Sequence, residues 1–137
     1  MNILGRYGNS GIDIEGTEES LRELSCVLEG LSSDKVFPLS GNRPSQDPYP
    51  GHAKTLRLAL SNEPVCIALA GDEISVCGAA DKLRILAQNI RLLADQQKQE
   101  SSGRTRLHSH IEYYPGHFFL KAESIPLVVA KTDSRST

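Results

Sequence analysis

Two imidazoles two residues apart, with a carboxylate two further on, can converge on a metal ion. His108, His110 and Glu112 have this spacing, and His117 ends the same short stretch, His108-Ser-His-Ile-Glu-Tyr-Tyr-Pro-Gly-His117. Alternate residues of an extended chain share a face. His108, His110 and Glu112 therefore point one way with Arg106, and Leu107, Ile111 and Tyr113 the other. Two histidines on one strand face can share a zinc, and Glu112 or His117 would complete a three-ligand set with an open position for water. That chemistry would make a small metal-dependent hydrolase. The competing reading is a wet polar strand face with Arg106 and Glu112 paired across it. The sequence offers no second cluster with ligand spacing, and His52 is isolated.

Other reactive constellations are missing from the sequence. No serine stands in a Gly-x-Ser-x-Gly elbow, and Ser109 and His110, being adjacent on a strand, face opposite sides. There is neither a P-loop nor a GxGxxG, and Gly5-x-x-Gly8-x-x-Gly11 reads as loop punctuation. No catalytic residue and no cofactor are expected, and the chain is read as a non-enzyme.

What remains in the histidine segment is a surface for another protein. Tyr114-Pro115-Gly116-His117 fits a type II turn, with proline second and glycine third. Tyr113, Tyr114, His117, Phe118 and Phe119 form the richest aromatic concentration in the chain. Aromatic side chains held on a rigid turn make good interface anchors. The candidate partner-binding residues here are Glu112, Tyr114, His117 and Phe119. A second candidate is the acidic run Asp13, Glu15, Glu18, Glu19 and Glu23 around the start of the first helix, which would suit a basic partner. Acidic residues belong at a helix start on dipole grounds, so the turn is preferred.

The elements that position these groups contain a degenerate repeat. Ile12-Asp-Ile-Glu-Gly-Thr-Glu-Glu-Ser-Leu-Arg-Glu-Leu returns as Ile74-Ser-Val-Cys-Gly-Ala-Ala-Asp-Lys-Leu-Arg-Ile-Leu. Each copy reads as an alternating strand, a glycine for a tight turn, and a helix with one apolar stripe: Leu21, Leu24, Leu28, Leu31 and Leu83, Leu86, Ile90, Leu93. The first helix should start at Thr17 and end near Gly30 to Ser33, and the second should run from about Ala79 to Gln97. Strands are expected over Lys54 to Leu60, and on either side of Gly71-Asp72, with Val65, Ile67, Leu69, Ile74 and Val76 on the core face. Cys66 then falls opposite Cys77 on the other face, as reduced, packed thiols. Further strands are expected at 106–113, with a possible extension from Phe118 to Lys121, and from Ile125 to Ala130. Residues 34–53, with four prolines, read as a long loop, about 96–105 as a polar linker, and 131–137 as a frayed tail. The pattern predicts an α+β fold: one largely antiparallel sheet with two helices packed on one face.

At 137 residues, one domain is expected. A net charge of −2 argues against nonspecific nucleic-acid binding. Three cysteines without a CxxC, no leader-like start and no apolar run long enough to span a bilayer predict a cytoplasmic protein with no membrane partner. No oligomeric state can be read from the sequence.

His110-Ile-Glu-Tyr-Tyr-Pro-Gly-His-Phe-Phe-Leu120, followed by Ser124-Ile-Pro-Leu-Val-Val129, resembles the C-terminal signature of the Imm32 family of bacterial immunity proteins. The hairpin upstream, Gly78 and the Leu-Arg-x-Leu-Ala helix are similar too, so the resemblance covers about residues 64–130. It implies a cytosolic antidote from a polymorphic-toxin locus, whose partner is a cognate toxin protein that it neutralises without chemistry.

Overall fold

Two hairpins with two-residue turns set the pattern. Asn9-Ser10 joins β1 (Ile3–Gly8) to β2 (Gly11–Gly16), and Gly71-Asp72 joins β6 (Cys66–Ala70) to β7 (Glu73–Gly78). Each second strand runs into a helix, α1 (Glu18–Glu29) or α2 (Ala80–Asp95). The remaining strands are β3 (Lys35–Pro38), β4 (Gly51–His52), β5 (Thr55–Leu60), β8 (Leu107–Ile111) and β9 (Leu127–Lys131). The computed structural model describes residues 1–40, 50–97 and 107–132. Arg106, most of the expected 96–105 linker, the centre of the 34–53 loop and the tail beyond Thr132 lie outside the described residues.

The single, largely antiparallel sheet expected from the sequence is overturned. The described residues form two sheets, one of five strands in the order β4-β1-β2-β9-β8 and one of four in the order β3-β5-β7-β6. Both are mixed, because β2 pairs parallel with β9 and β7 parallel with β5. The physical reason is that each strand–helix unit founds its own sheet. β2 and β7 are both central strands, and each needs a neighbour on its second side. Each finds it in the other half of the chain.

The two halves are related by a pseudo-twofold exchange. Equivalent residues lie 62 positions apart in the hairpins and helices, as Ile12 does from Ile74. Ile12 pairs with Leu127 and Ile14 with Val129; correspondingly Ile74 pairs with Leu56 and Val76 with Leu58. The exchange thus gives the β9–β8 pair to the first half's hairpin and the β5–β3 pair to the second's. The returning connections match as well. Ser40 N–H donates to Ile3 O and Ala53 N–H to Gly5 O, at 2.8 and 2.9 Å; Lys121 N–H donates to Val65 O and Ile125 N–H to Ile67 O, both at 2.8 Å. The helices meet at equivalent positions. Ser25 Oγ donates to Ala87 O at 2.8 Å, and Arg91 Nη2 reaches Glu29 Oε1 at 2.6 Å. A self-complementary contact of this kind is what a twofold interface produces.

Local chemistry explains the elements. Thr17 caps α1 by accepting from Ser20 N at 3.2 Å, and Gly30 closes it. Leu21, Leu24, Leu28, Leu83, Leu86 and Ile90 are all buried in one core. Gly16 and Gly78 serve close approach: a Cβ would sit 2.7 Å from Ile3 Cδ1 at the first and 2.9 Å from Val65 Cα at the second. Ile3 and Val65 are themselves equivalent. Gly5 and Gly8, expected as loop punctuation, lie in the strand β1, and the expected loop 34–53 contributes β3 and β4. Gly51 is required there because the Tyr7 ring lies where a side chain would stand.

Candidate functional site

β8 pairs with β9, and past Ile111 the chain leaves the ladder for the aromatic turn. His117 N–H donates to Tyr114 O at 2.9 Å and Gly116 has φ 87°, as a type II turn demands. His117 then closes the turn with its side chain. Its Nδ1 accepts from the amides of Phe119 and Leu120 at 3.2 and 3.1 Å. The next residues do not extend β8. Phe119 O accepts from Val65 N–H at 2.7 Å and Lys121 N–H donates to Val65 O at 2.8 Å, which pins them to the edge of β6.

This pinning decides which rings face solvent. Phe119 is 4% exposed and Leu120 is buried, so Phe119 is a core anchor, whereas Phe118 is 63% exposed and Tyr114 55%. Tyr113 is also exposed. The rings gather around His117: Tyr114 and Phe119 have centroids 4.6 Å from it, Phe118 5.8 Å and Tyr113 6.3 Å. The result is an apolar, ring-lined knob. Tyr113 and Phe118, absent from the candidate set read from the sequence, belong to it. Alternation puts Tyr113 on the face of Leu107 and Ile111, but β8 ends at Ile111 and neither Tyr113 nor Phe118 follows its period.

His117 should make the turn pH-sensitive. Burial holds its pKa below the ordinary histidine value. The two amides on Nδ1 likewise favour the neutral ring. The folded pKa is depressed, so its contribution is intact above the unfolded value near 6.5 and is lost as pH falls below it toward the folded one. The expected result is that the protection factors of the Phe119 and Leu120 amides, taken against the intrinsic exchange rate at each pH, fall as the pH drops below about 6.5, and that His117→Gln removes this dependence. Protection that stays constant in the wild type as the pH falls would refute it.

The metal reading is not assembled. His108 and His110 are exposed on β8 with centroids 4.9 Å apart, and His110 Nδ1 lies 3.9 Å from Glu112 Oε1. His117 Nδ1 is occupied by the two amides. Among the described residues no three His, Cys, Asp or Glu side chains come together as a metal-holding group.

The acidic run divides. Asp13 is 0% and Glu15 6% exposed, both against the buried Arg6, whose Nη2 lies 3.5 Å from Asp13 Oδ1 and 3.1 Å from Glu15 Oε1. They lie on the outer face of the five-stranded sheet and are no free surface. Glu18 bonds Arg22 at 2.9 Å and lies 3.5 Å from Lys131; Arg22, then Lys131, hold its carboxyl below the usual range. Glu23 lies 3.4 Å from the Met1 amino group, and Glu19 is exposed. Three separated carboxylates remain where five were expected. Arg6, which organises two of the five, carried no signal in the sequence.

No helix among the described residues is long and apolar enough to cross a membrane. Comparison with known families matches residues 73–132 to Immunity protein 32 (Imm32). The match takes in β7, α2, β8, the aromatic turn and β9, and leaves out the acidic run. No curated protein and no solved structure matches the chain.

Proposed function

We propose, from the premise that residues 73–132 are an Immunity protein 32 segment, that this chain binds a cognate toxin protein and neutralises it by contact, without catalysis. The family match carries the reading. Two further observations support it. The exposed rings Tyr113, Tyr114 and Phe118 fall inside the matched segment, on a turn held at both ends by backbone hydrogen bonds. Rigid, solvent-facing aromatic residues are what tight interfaces are built around. The protein acts in the cytoplasm of the cell that makes the toxin, and the knob is its main contact.

The test uses the toxin encoded beside it. Wild-type protein should bind that toxin and restore growth to cells expressing it; failure of both would remove the function. Tyr114→Ala with Phe118→Ala should weaken binding by at least about 2 kcal/mol, roughly 30-fold, with the thermal midpoint little changed. His117 is left in place because its side chain holds the turn together. A folded double variant that binds within about threefold of wild type would place the contact elsewhere on the molecule.

A further inference from the structure

Cys66 and Cys77 stand directly opposite each other in the β6–β7 register. They share the outer face of the four-stranded sheet with Ala68, Ala70, Ser75 and Ala59, all small. Packed thiols are expected from the sequence; both cysteines are half-buried rather than buried, and both are free. The repeat does not require them either. Their equivalents on the other sheet are Leu4 and Glu15, which are buried. A pair of thiols at one register position, on an accessible face, departs from the pattern of its own repeat.

We propose that Cys66 and Cys77 are an oxidative modification site, a cross-strand dithiol that a peroxide converts to a disulfide. One thiolate attacks the peroxide O–O bond, giving a sulfenic acid and, from hydrogen peroxide, one water. The second thiolate attacks that sulfur and displaces the oxygen, which leaves as a second water. Two thiols lose two electrons and two protons, and the peroxide is reduced. Directly opposed antiparallel residues have Cα atoms about 4.5–5.5 Å apart, inside the range a disulfide spans. Their Cβ atoms, about 4.5–5.5 Å apart, lie at or beyond the upper limit, so the bond forms under strain and is easily reduced again. The bond would staple β6, the strand to which Phe119–Lys121 are pinned.

The third thiol is separable. Cys26 is exposed on α1, with Arg91 Nη2 3.4 Å from its Sγ. In full-length Cys26→Ser protein, a few equivalents of hydrogen peroxide should consume both remaining thiols together. The intact mass should fall by two hydrogens, a digest should yield a peptide joining residues 66 and 77, and dithiothreitol should restore both thiols. Cys66→Ser in the same background should abolish the mass loss. Oxygen addition to one cysteine without a cross-link, or disulfide-linked dimers appearing before the internal bond, would overturn the proposal, as would thiols that survive peroxide.

Discussion

Arg6→Ala should lower the unfolding free energy by about 3–5 kcal/mol, the range seen when one partner of a buried ion cluster is removed. Its guanidinium serves two carboxylates that are themselves shielded from water, Asp13 and Glu15. Deleting the cation leaves both acids in a medium that penalises charge. Urea unfolding measures the effect directly, and a loss under about 1 kcal/mol would mean that water already reaches the cluster. The other half supplies a control. The equivalents of Arg6, Asp13 and Glu15 are Ala68, Ser75 and Cys77. Grafting these three residues onto the first half removes the charges along with the cation. That triple variant should be more stable than Arg6→Ala despite carrying more substitutions.

Leu86→Ala should cost about 2–5 kcal/mol, the usual range for a leucine emptied from a close-packed core. Leu86 is 1% exposed, and its equivalent Leu24 is 2% exposed, on the facing helix. Leu24→Ala should fall in the same range, because the exchange places both in one core. A loss within about 0.5 kcal/mol at either position would mean that helix is not docked as described.

The repeat was legible because its signal is local. Ile12/Ile74, Gly16/Gly78 and the leucine stripes fix two strand–helix units at a fixed spacing, and Thr17 and Gly30 mark helix ends by their own chemistry. The number of sheets was not legible. Alternation says that a segment is a strand but not which strand it joins, and the decisive pairs, such as Ile14 with Val129, are far apart in the chain. β1 was hidden by its glycines. Gly5 is there because Leu39, Ile74 and Ala53 close over it, with Leu39 Cδ1 2.7 Å from where a Cβ would stand. β3 was hidden by its four-residue length and Pro38. In the site, the turn type, Tyr114 and His117 were readable from Pro115 and Gly116. The exchange of Phe118 for Phe119 as the outward ring was not, since it depends on hydrogen bonds to Val65. Asp13 and Glu15, expected as part of an acidic surface, are buried, because strand periodicity carries no information on whether a polar face is covered.

The interlocked halves also set the order in which the protein can be made. As residues leave the ribosome, β1, β2 and α1 emerge first, yet β2 stays one-sided until β9, ending at Lys131, is available beside it. All four described strands of the smaller sheet are present once β7 has emerged, whereas the five-stranded sheet waits for β9, some fifty residues later. Contacts so distant in sequence make for slow folding, and an early hairpin with an open edge stays exposed to other chains throughout synthesis. A nascent chain halted before residue 127 can satisfy one sheet and not the other, so a truncated product is a template for aggregation rather than a weaker version of the same protein.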